Sequence, residues 1–149
     1  MNIELVYVSF YSYIVGTIPF GLLITKIFLK KDIRKVGSGN IGATNVLRTG
    51  KKYLGLATLL LDGLKAYISV KITLNFFPDY VYLSALLCFL GHIFPVWLKF
   101  NGGKGIAVYL GVLFAFSVYL GFVFITSWII IFYLSKYSSL SSLVSSLVI

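Results

Sequence analysis

Residues 106–134 read IAVYLGVLFAFSVYLGFVFITSWIIIFYL, without one charged side chain. That run exceeds the roughly 20 residues a helix needs to cross a bilayer. Backbone N–H and C=O groups have no water to bond in lipid, so a lone spanning segment must be a helix. Three similar runs precede it: Leu5–Leu29, with Gly16 and Pro19 near its middle, Tyr53–Phe77 and Tyr80–Leu98. The tail, Tyr137–Ile149, is apolar and serine-rich but too short to span, and it reads as the start of a fifth helix. The fold class is therefore all-α: a polytopic transmembrane helical bundle with four full spans and the start of a fifth, in one membrane domain over residues 1–149.

Composition agrees. Hydrophobic residues make up 59% of the chain and charged ones 11%, against about 25% charged in a soluble domain. Mean hydropathy is +0.97. The net charge of +9, from 13 Lys and Arg against 4 Asp and Glu, suits anionic headgroups or phosphorylated substrates. Nucleic acid is excluded as a partner, because the basic residues sit in short loops between apolar runs. Cys88 is the only cysteine and can form no internal disulfide. The first apolar run is too long for a signal core and follows no basic segment, so no cleavable signal is expected.

Loop charge sets the expected orientation. The segment 30–52 carries Lys30, Lys31, Arg34, Lys35, Arg48, Lys51 and Lys52, and the next loop on that side carries Lys99 and Lys104. Glu4, Asp79 and Lys136 are expected on the other side. The positive-inside rule then puts the basic loops in the cytoplasm and the N-terminus outside.

Two polar segments carry chemistry. The first is Val36–Arg48, VGSGNIGATNVLR. Its glycines let backbone approach a ligand closely; Ser38, Thr44, Asn40 and Asn45 add hydroxyl and amide partners; Arg48 adds a planar cationic fork suited to phosphate. The second is Gly91–Gly105, GHIFPVWLKFNGGKG. Gly102, Gly103 and Gly105 precede a helix whose N-terminus attracts anions, and Lys104 sits among them as a point charge. Gly37–Gly42 also fits G-x-G-x-x-G, with Asp62 further on, but no strand precedes it and Asp62 lies inside a span, so a dinucleotide fold is rejected. Gly105 stands where a P-loop needs Ser or Thr.

Asp62 and Lys65 share one face of the second span, each the other's expected partner. Ionisable groups at that depth are costly, so a functional or site-supporting role is expected, the alternative being a structural interhelical pair. Gly16, Gly55, Gly111 and Gly121 read as helix-packing positions. His92 alone would pass as an interior histidine, but beside Pro95, Lys99 and the glycine turn it is assigned to the site.

Gly37–Arg48 and Gly91–Gly105 resemble the first two signatures of the bacterial acyl-phosphate-dependent glycerol-3-phosphate acyltransferases, and the Asp62-x-x-Lys65 pair and hydropathy pattern fit as well. The resemblance implies an integral enzyme of the bacterial inner membrane. It would move a fatty acyl group from acyl phosphate to the sn-1 hydroxyl of glycerol 3-phosphate, forming lysophosphatidic acid in phospholipid biosynthesis. Asn101 stands where Lys is common, and Ala66 where Gly is common. The family carries a third motif with His, Asn and Glu beyond Ile149, so a C-terminally incomplete chain of low activity is expected.

By resemblance, Ser38, Arg48 and Lys104 bind phosphate. Gly37, Gly39, Asn40, Thr44, Asn45, Gly102, Gly103 and Gly105 complete the substrate site, Ser38 and His92 are the catalytic candidates, and Asp62 and Lys65 support them. Acyl phosphate is a mixed anhydride with a good leaving group, so positioning and charge neutralisation matter more than a strong nucleophile. Neither Ser-His-Asp nor His-x4-Asp is present, Trp97 standing five after His92. Direct attack by the substrate hydroxyl is expected, with glycine N–H groups stabilising the oxyanion and the proton passing to His92 or to a substrate phosphate. One His and one Cys make no metal cluster, and no cofactor is implied. The soluble enzyme that makes acyl phosphate is an implied partner. The rival reading is a membrane transporter or lipid-binding scaffold, which leaves the two motifs unexplained.

Overall fold

The computed structural model describes residues 2–149. Its regular elements are all helical among the described residues. Helices α1 (Ile3–Gly16) and α2 (Phe20–Leu29) make the first crossing. A short α3 (Ala43–Leu47) leads into α4 (Lys52–Phe76), the second crossing. Helix α5 (Val81–Ile93), with a 3₁₀ turn at each end, makes the third over Pro78–Leu98. Then come α6 (Ile106–Phe116), α7 (Val118–Ser135) and α8 (Ser138–Leu147). Four segments are long and apolar enough to cross a membrane, the fourth being α7.

The apolar run 106–134 is therefore not one helix. Ser117 is extended (φ −157°, ψ 131°) and reverses the chain. The Tyr109 and Phe124 rings lie 5.5 Å apart, and Phe114 and Phe122 lie 5.6 Å apart. These pairs nest around Ser117, so α6 and α7 fold back on each other as a hairpin. A Cβ on Gly121 would overlap the Phe114 ring. At 1.5 Å per residue α6 reaches only about 16 Å, half a hydrocarbon core. The reversal moves Lys136 to the face that holds Lys104, against the expectation that it lies with Glu4 and Asp79. Lys104 Nζ donates to Ser139 Oγ at 3.0 Å, next to the end of α7.

The first crossing breaks where proline requires it. Pro19 has no N–H, and the residue before a proline avoids the helical region. The carbonyls freed at the break find side-chain donors: Trp97 Nε1 bonds Thr17 O at 3.1 Å, and Lys65 Nζ bonds Ile18 O at 2.6 Å.

Helix α4 is the central post, packed by α1, α2, α3, α5 and α6. Small residues allow the closest approaches, as expected for Gly16, Gly55 and Gly111. A Cβ on Gly16 would run into the Cys88 carbonyl, on Gly111 into the Gly63 carbonyl, and on Gly55 into Leu47. Ser12, Ser84 and Ser69 join α1, α5 and α4, with Ser12 Oγ donating to Ser84 Oγ at 2.8 Å and the Ser69 and Ser84 hydroxyls 3.3 Å apart. Residues such as Phe10, Leu60 and Ile130 face outward, as a lipid-facing surface requires. Helix α8 turns its buried Ser141, Ser142 and Ser145 inward, and Trp128 Nε1 of α7 donates to Ser142 Oγ at 3.0 Å.

Candidate active site

The first motif is a loop wound around one side chain. Asn45, buried on α3, accepts from Ser38 N at 3.0 Å through Oδ1. Its Nδ2 donates to the carbonyls of Ile33, Val36 and Asn40 at 3.1, 2.9 and 2.8 Å. Buried Ile33, Ile41 and Val46 anchor the loop in a cluster with Leu22, Ile24 and Leu54. Gly37 and Gly39 take φ of +56° and +72°, which places Ser38 on a tight exposed corner. Asn40 Oδ1 accepts from Gly42 N at 2.8 Å, an Asx turn into α3.

The second motif is held from behind. Gly102 N bonds Ile93 O at 2.9 Å and Gly103 N bonds His92 O at 3.0 Å, folding the loop onto the end of α5. Lys99 and Phe100 both take positive φ, 52° and 61°, a conformation costing about 1–2 kcal/mol per non-glycine residue. The surrounding hydrogen bonds, including Phe100 N to Pro95 O at 3.0 Å, hold it in place. Gly105 (φ +81°) packs on the Phe89 ring and starts α6.

The two motifs meet. Ser38, Gly39 and Asn40 of the first, with Asn101, Gly102 and Gly103 of the second, line one cleft of about 460 Å³ together with Arg34, Ile93 and Phe100. Ser38 Oγ has no protein partner among the described residues and is free for a ligand. The cleft-lining glycines do not offer the expected N–H donors. Gly39 N bonds Val36 O at 3.0 Å, and Gly102 and Gly103 N are engaged as above. Two of them instead let the loop pack closely on the end of α5: a Cβ on Gly102 would meet the His92 and Ile93 carbonyls, and one on Gly103 would meet the His92 ring.

His92, expected at the chemistry, lies behind Gly103 and does not line the cleft. Its Nδ1 is 3.0 Å from Lys65 Nζ and 3.7 Å from Asp62 Oδ1. With Lys65 an ammonium, which only donates, Nδ1 accepts and the imidazole proton sits on Nε2, against Gly103. Asp62 Oδ1 lies 3.0 Å from Lys65 Nζ, within ion-pair range but off hydrogen-bonding direction. Asp62 and Lys65 are thus partners as expected, and the pair extends through His92 to the second loop. All three side chains are at least 95% buried.

Arg48 lies over Gly37, where a Cβ would come within 2.9 Å of its Cδ. Lys104 points to Ser139. Both are exposed near the cleft without lining it, and Thr44 is exposed on α3. Four cleft residues, Arg34, Ile93, Phe100 and Asn101, were outside the expected site. Arg34 is bidentate to Asp32, with Nη2–Oδ2 at 2.6 Å and Nε–Oδ1 at 3.0 Å. That hydrogen-bonded guanidinium holds the Asp32 carboxyl down to about 2, and the carboxylate raises the Arg34 pKa in return.

Known proteins resemble this chain in sequence and fold. A profile described as glycerol-3-phosphate acyltransferase matches residues 6–149. The chain belongs to the glycerol-3-phosphate acyltransferase family. Like-named relatives include one from Pelagibacter ubique, 60% identical over 146 residues that make up 98% of this chain and 76% of the relative. Another, from the Wolbachia of Brugia malayi, is 53% identical over 91% of this chain and 72% of its own length. The crystal structure of PlsY (YgiH), an integral membrane glycerol 3-phosphate acyltransferase, superposes in its glycerol 3-phosphate form with a TM-score of 0.91 at 37% identity, over 97% of this chain and 73% of that one. Its lysophosphatidic acid form gives 0.88 at 36% identity, over 97% and 72%. At those identities the likeness extends beyond the fold to the family, and both glycine motifs fall within the matched residues.

Proposed function

We propose that this membrane enzyme transfers a fatty acyl group from acyl phosphate to the sn-1 hydroxyl of glycerol 3-phosphate, releasing phosphate and forming lysophosphatidic acid. The observation that carries the reading is the single cleft built from both motifs, lined by a free serine hydroxyl, amides and a guanidinium. One relative, solved in a glycerol 3-phosphate form and in a lysophosphatidic acid form, supports both the acceptor and the product. Acyl phosphate fits as donor because its phosphate is a good leaving group, and the cleft wall carries no nucleophile activated by a base.

The acceptor hydroxyl attacks the acyl carbonyl, the C–O bond to phosphate breaks, and the hydroxyl proton leaves. With His92 turned from the cleft, a substrate phosphate oxygen is the nearest chemically competent base. Ser38 holds a phosphate oxygen or the developing oxyanion, and Arg48 and Lys104 attract substrate at the rim. Orientation follows from charge: the loop 30–52, Lys99, Lys104 and now Lys136 share one face, which the positive-inside rule assigns to the cytoplasm of a bacterial inner membrane. An apolar groove of about 220 Å³ between α1, α2 and α4, lined by Val15, Phe20, Leu61, Leu64 and Ile68 with Lys65, opens beside the same core.

The test is reconstitution of the purified chain with palmitoyl phosphate and glycerol 3-phosphate. Lysophosphatidic acid forms, and Ser38→Ala reduces its rate at least tenfold. Turnover with acyl-CoA or acyl carrier protein but not with acyl phosphate would overturn the donor assignment.

A further inference from the structure

We infer that Arg34, aimed by Asp32, is the cation that binds a substrate phosphate inside the cleft. The inference rests on the reading that this cleft takes a phosphorylated substrate. A phosphate entering it needs donors and positive charge. The cleft-lining N–H groups of Gly39, Gly102 and Gly103 are engaged internally, and Asn101 Nδ2 donates to Lys99 O at 3.0 Å. What remains is the Ser38 hydroxyl, the Asn40 amide and Arg34, the one ionisable residue on the wall among the described residues. Arg48 and Lys104 do not line it.

The guanidinium is pre-aimed. Asp32 caps the 3₁₀ turn Ile33–Lys35 by accepting from Arg34 N at 3.0 Å. The same carboxylate takes Nε and one edge of Nη2, so Nη1 has no protein partner among the described residues and stays available to an oxygen ligand. With its side chain 42% exposed, Arg34 remains reachable. Gly39 packs beside it: a Cβ there would sit 3.2 Å from the Arg34 carbonyl. A guanidinium fixed along one edge by a carboxylate loses little rotamer freedom when its other edge meets phosphate, which is the geometry that favours Arg over Lys.

Both substrates carry a phosphate, and the kinetics separate them. Wild type, Arg34→Gln, Arg34→Lys and Asp32→Asn are assayed with each substrate varied at saturation of the other. Arg34→Gln raises KM for one phosphorylated substrate about 10- to 100-fold, and the substrate affected identifies the phosphate bound. Arg34→Lys recovers part of the loss, and Asp32→Asn raises the same KM by a smaller factor. A second readout does not need turnover: glycerol 3-phosphate and palmitoyl phosphate are each tested for raising the melting temperature of wild type and of Arg34→Gln. The proposal predicts a wild-type shift that Arg34→Gln loses. Two results overturn it. One is both KM values within twofold of wild type with shifts intact. The other is a lower ligand-free melting temperature and kcat with KM unchanged, the mark of a residue that only staples its turn. A wild type that makes no lysophosphatidic acid yet is stabilised by these phosphates defeats the functional reading, and Arg34 is then judged by the shift. A wild type stabilised by neither, and inactive, defeats both.

Discussion

Gly103→Ala is the sharpest test of how the second motif is held. Gly103 does not need its freedom for an unusual φ. It needs the missing methyl. A Cβ there would overlap His92 Nε2 and come within 2.9 Å of Cε1 and 3.0 Å of Cδ2. The ring has nowhere to go, because Nδ1 is held 3.0 Å from Lys65 Nζ, and Lys65 is itself tied to Ile18 O and Asp62. Overpacking a core by one methyl costs about 1–3 kcal/mol. If the loop yields instead, a shift near an ångström in a positioning site lowers the rate on the order of a hundredfold. The first outcome appears as a lower melting temperature, the second as a loss of kcat/KM on the order of a hundredfold. The assay is lysophosphatidic acid formation beside a melting curve in the same detergent. A double-mutant cycle isolates the contact: in a His92→Ala background the methyl has room, and Gly103→Ala costs less than about threefold. Equal losses in both backgrounds would refute the steric argument, and wild-type kinetics and melting in the single variant would refute the packing itself.

Lys65→Met leaves Asp62 charged and unpaired in the membrane core and frees the Ile18 carbonyl, for a loss of about 3–5 kcal/mol; melting should fall sharply, and Asp62→Asn in the same chain should restore part of it. Asn45→Ala removes four hydrogen bonds from the first loop and should cost at least about 1–3 kcal/mol with a raised KM, while Asn45→Asp fails to rescue because the three carbonyls need donors; a fully active aspartate variant would contradict the wiring. The Asp32 carboxylate, held at about 2 by Arg34, adds its stabilisation above the unfolded value near 4 and loses it only as pH falls through about 2. Asp32→Asn should therefore leave the shape of the pH–rate profile between pH 5 and 8 unchanged, and a new limb there would reject the pair as described. Lys35→Cys and Lys136→Cys, each in a Cys88→Ser background, should label from the same side of the membrane, and opposite labelling would dismiss the hairpin at Ser117.

Hydropathy and loop charge revealed most of the bundle because they depend on composition averaged over long windows. The first span reads as one run from Leu5 to Leu29; its break carries a local signal, since Pro19 removes a donor at a known position. The reversal at Ser117 carries none. Neither proline nor glycine marks it, Val118 follows directly, and hydropathy stays high through the turn. Only the nested aromatic pairs and the small Gly121, which are tertiary facts, make the hairpin preferable to a continuous helix. Glycine and amide spacing pointed to both site loops, but not to what each polar group does. Asn45 reads as a ligand because asparagine beside glycine in a loop usually faces solvent; here it is the peg on which the loop is wound. Arg34 was hidden among basic residues that serve topology, and its only local signal was an aspartate two positions before it.

The buried Asp62–Lys65 pair illustrates how a charge inside a membrane can hold irregular backbone in place. Two irregular stretches of backbone converge at the level of Lys65. One is the helix break at Thr17–Pro19, with its freed carbonyls, and the other is the end of α5, where the second motif folds back. Irregular backbone is tolerated at membrane depth only where protein satisfies it. Lys65 can do so because an ammonium carries several donors: it bonds the Ile18 carbonyl and His92 Nδ1, with the Asp62 carboxylate beside it in ion-pair range. Asp62 offsets the charge that this requires. His92 is consequently fixed at one nitrogen and carries the Gly103 backbone on its other edge. Removing any member should loosen the cleft wall rather than delete a proton acceptor. This predicts that His92→Gln retains the wild-type pH dependence of kcat while lowering its magnitude. A histidine acting as base would do the reverse, since its loss would erase the acidic limb of the profile.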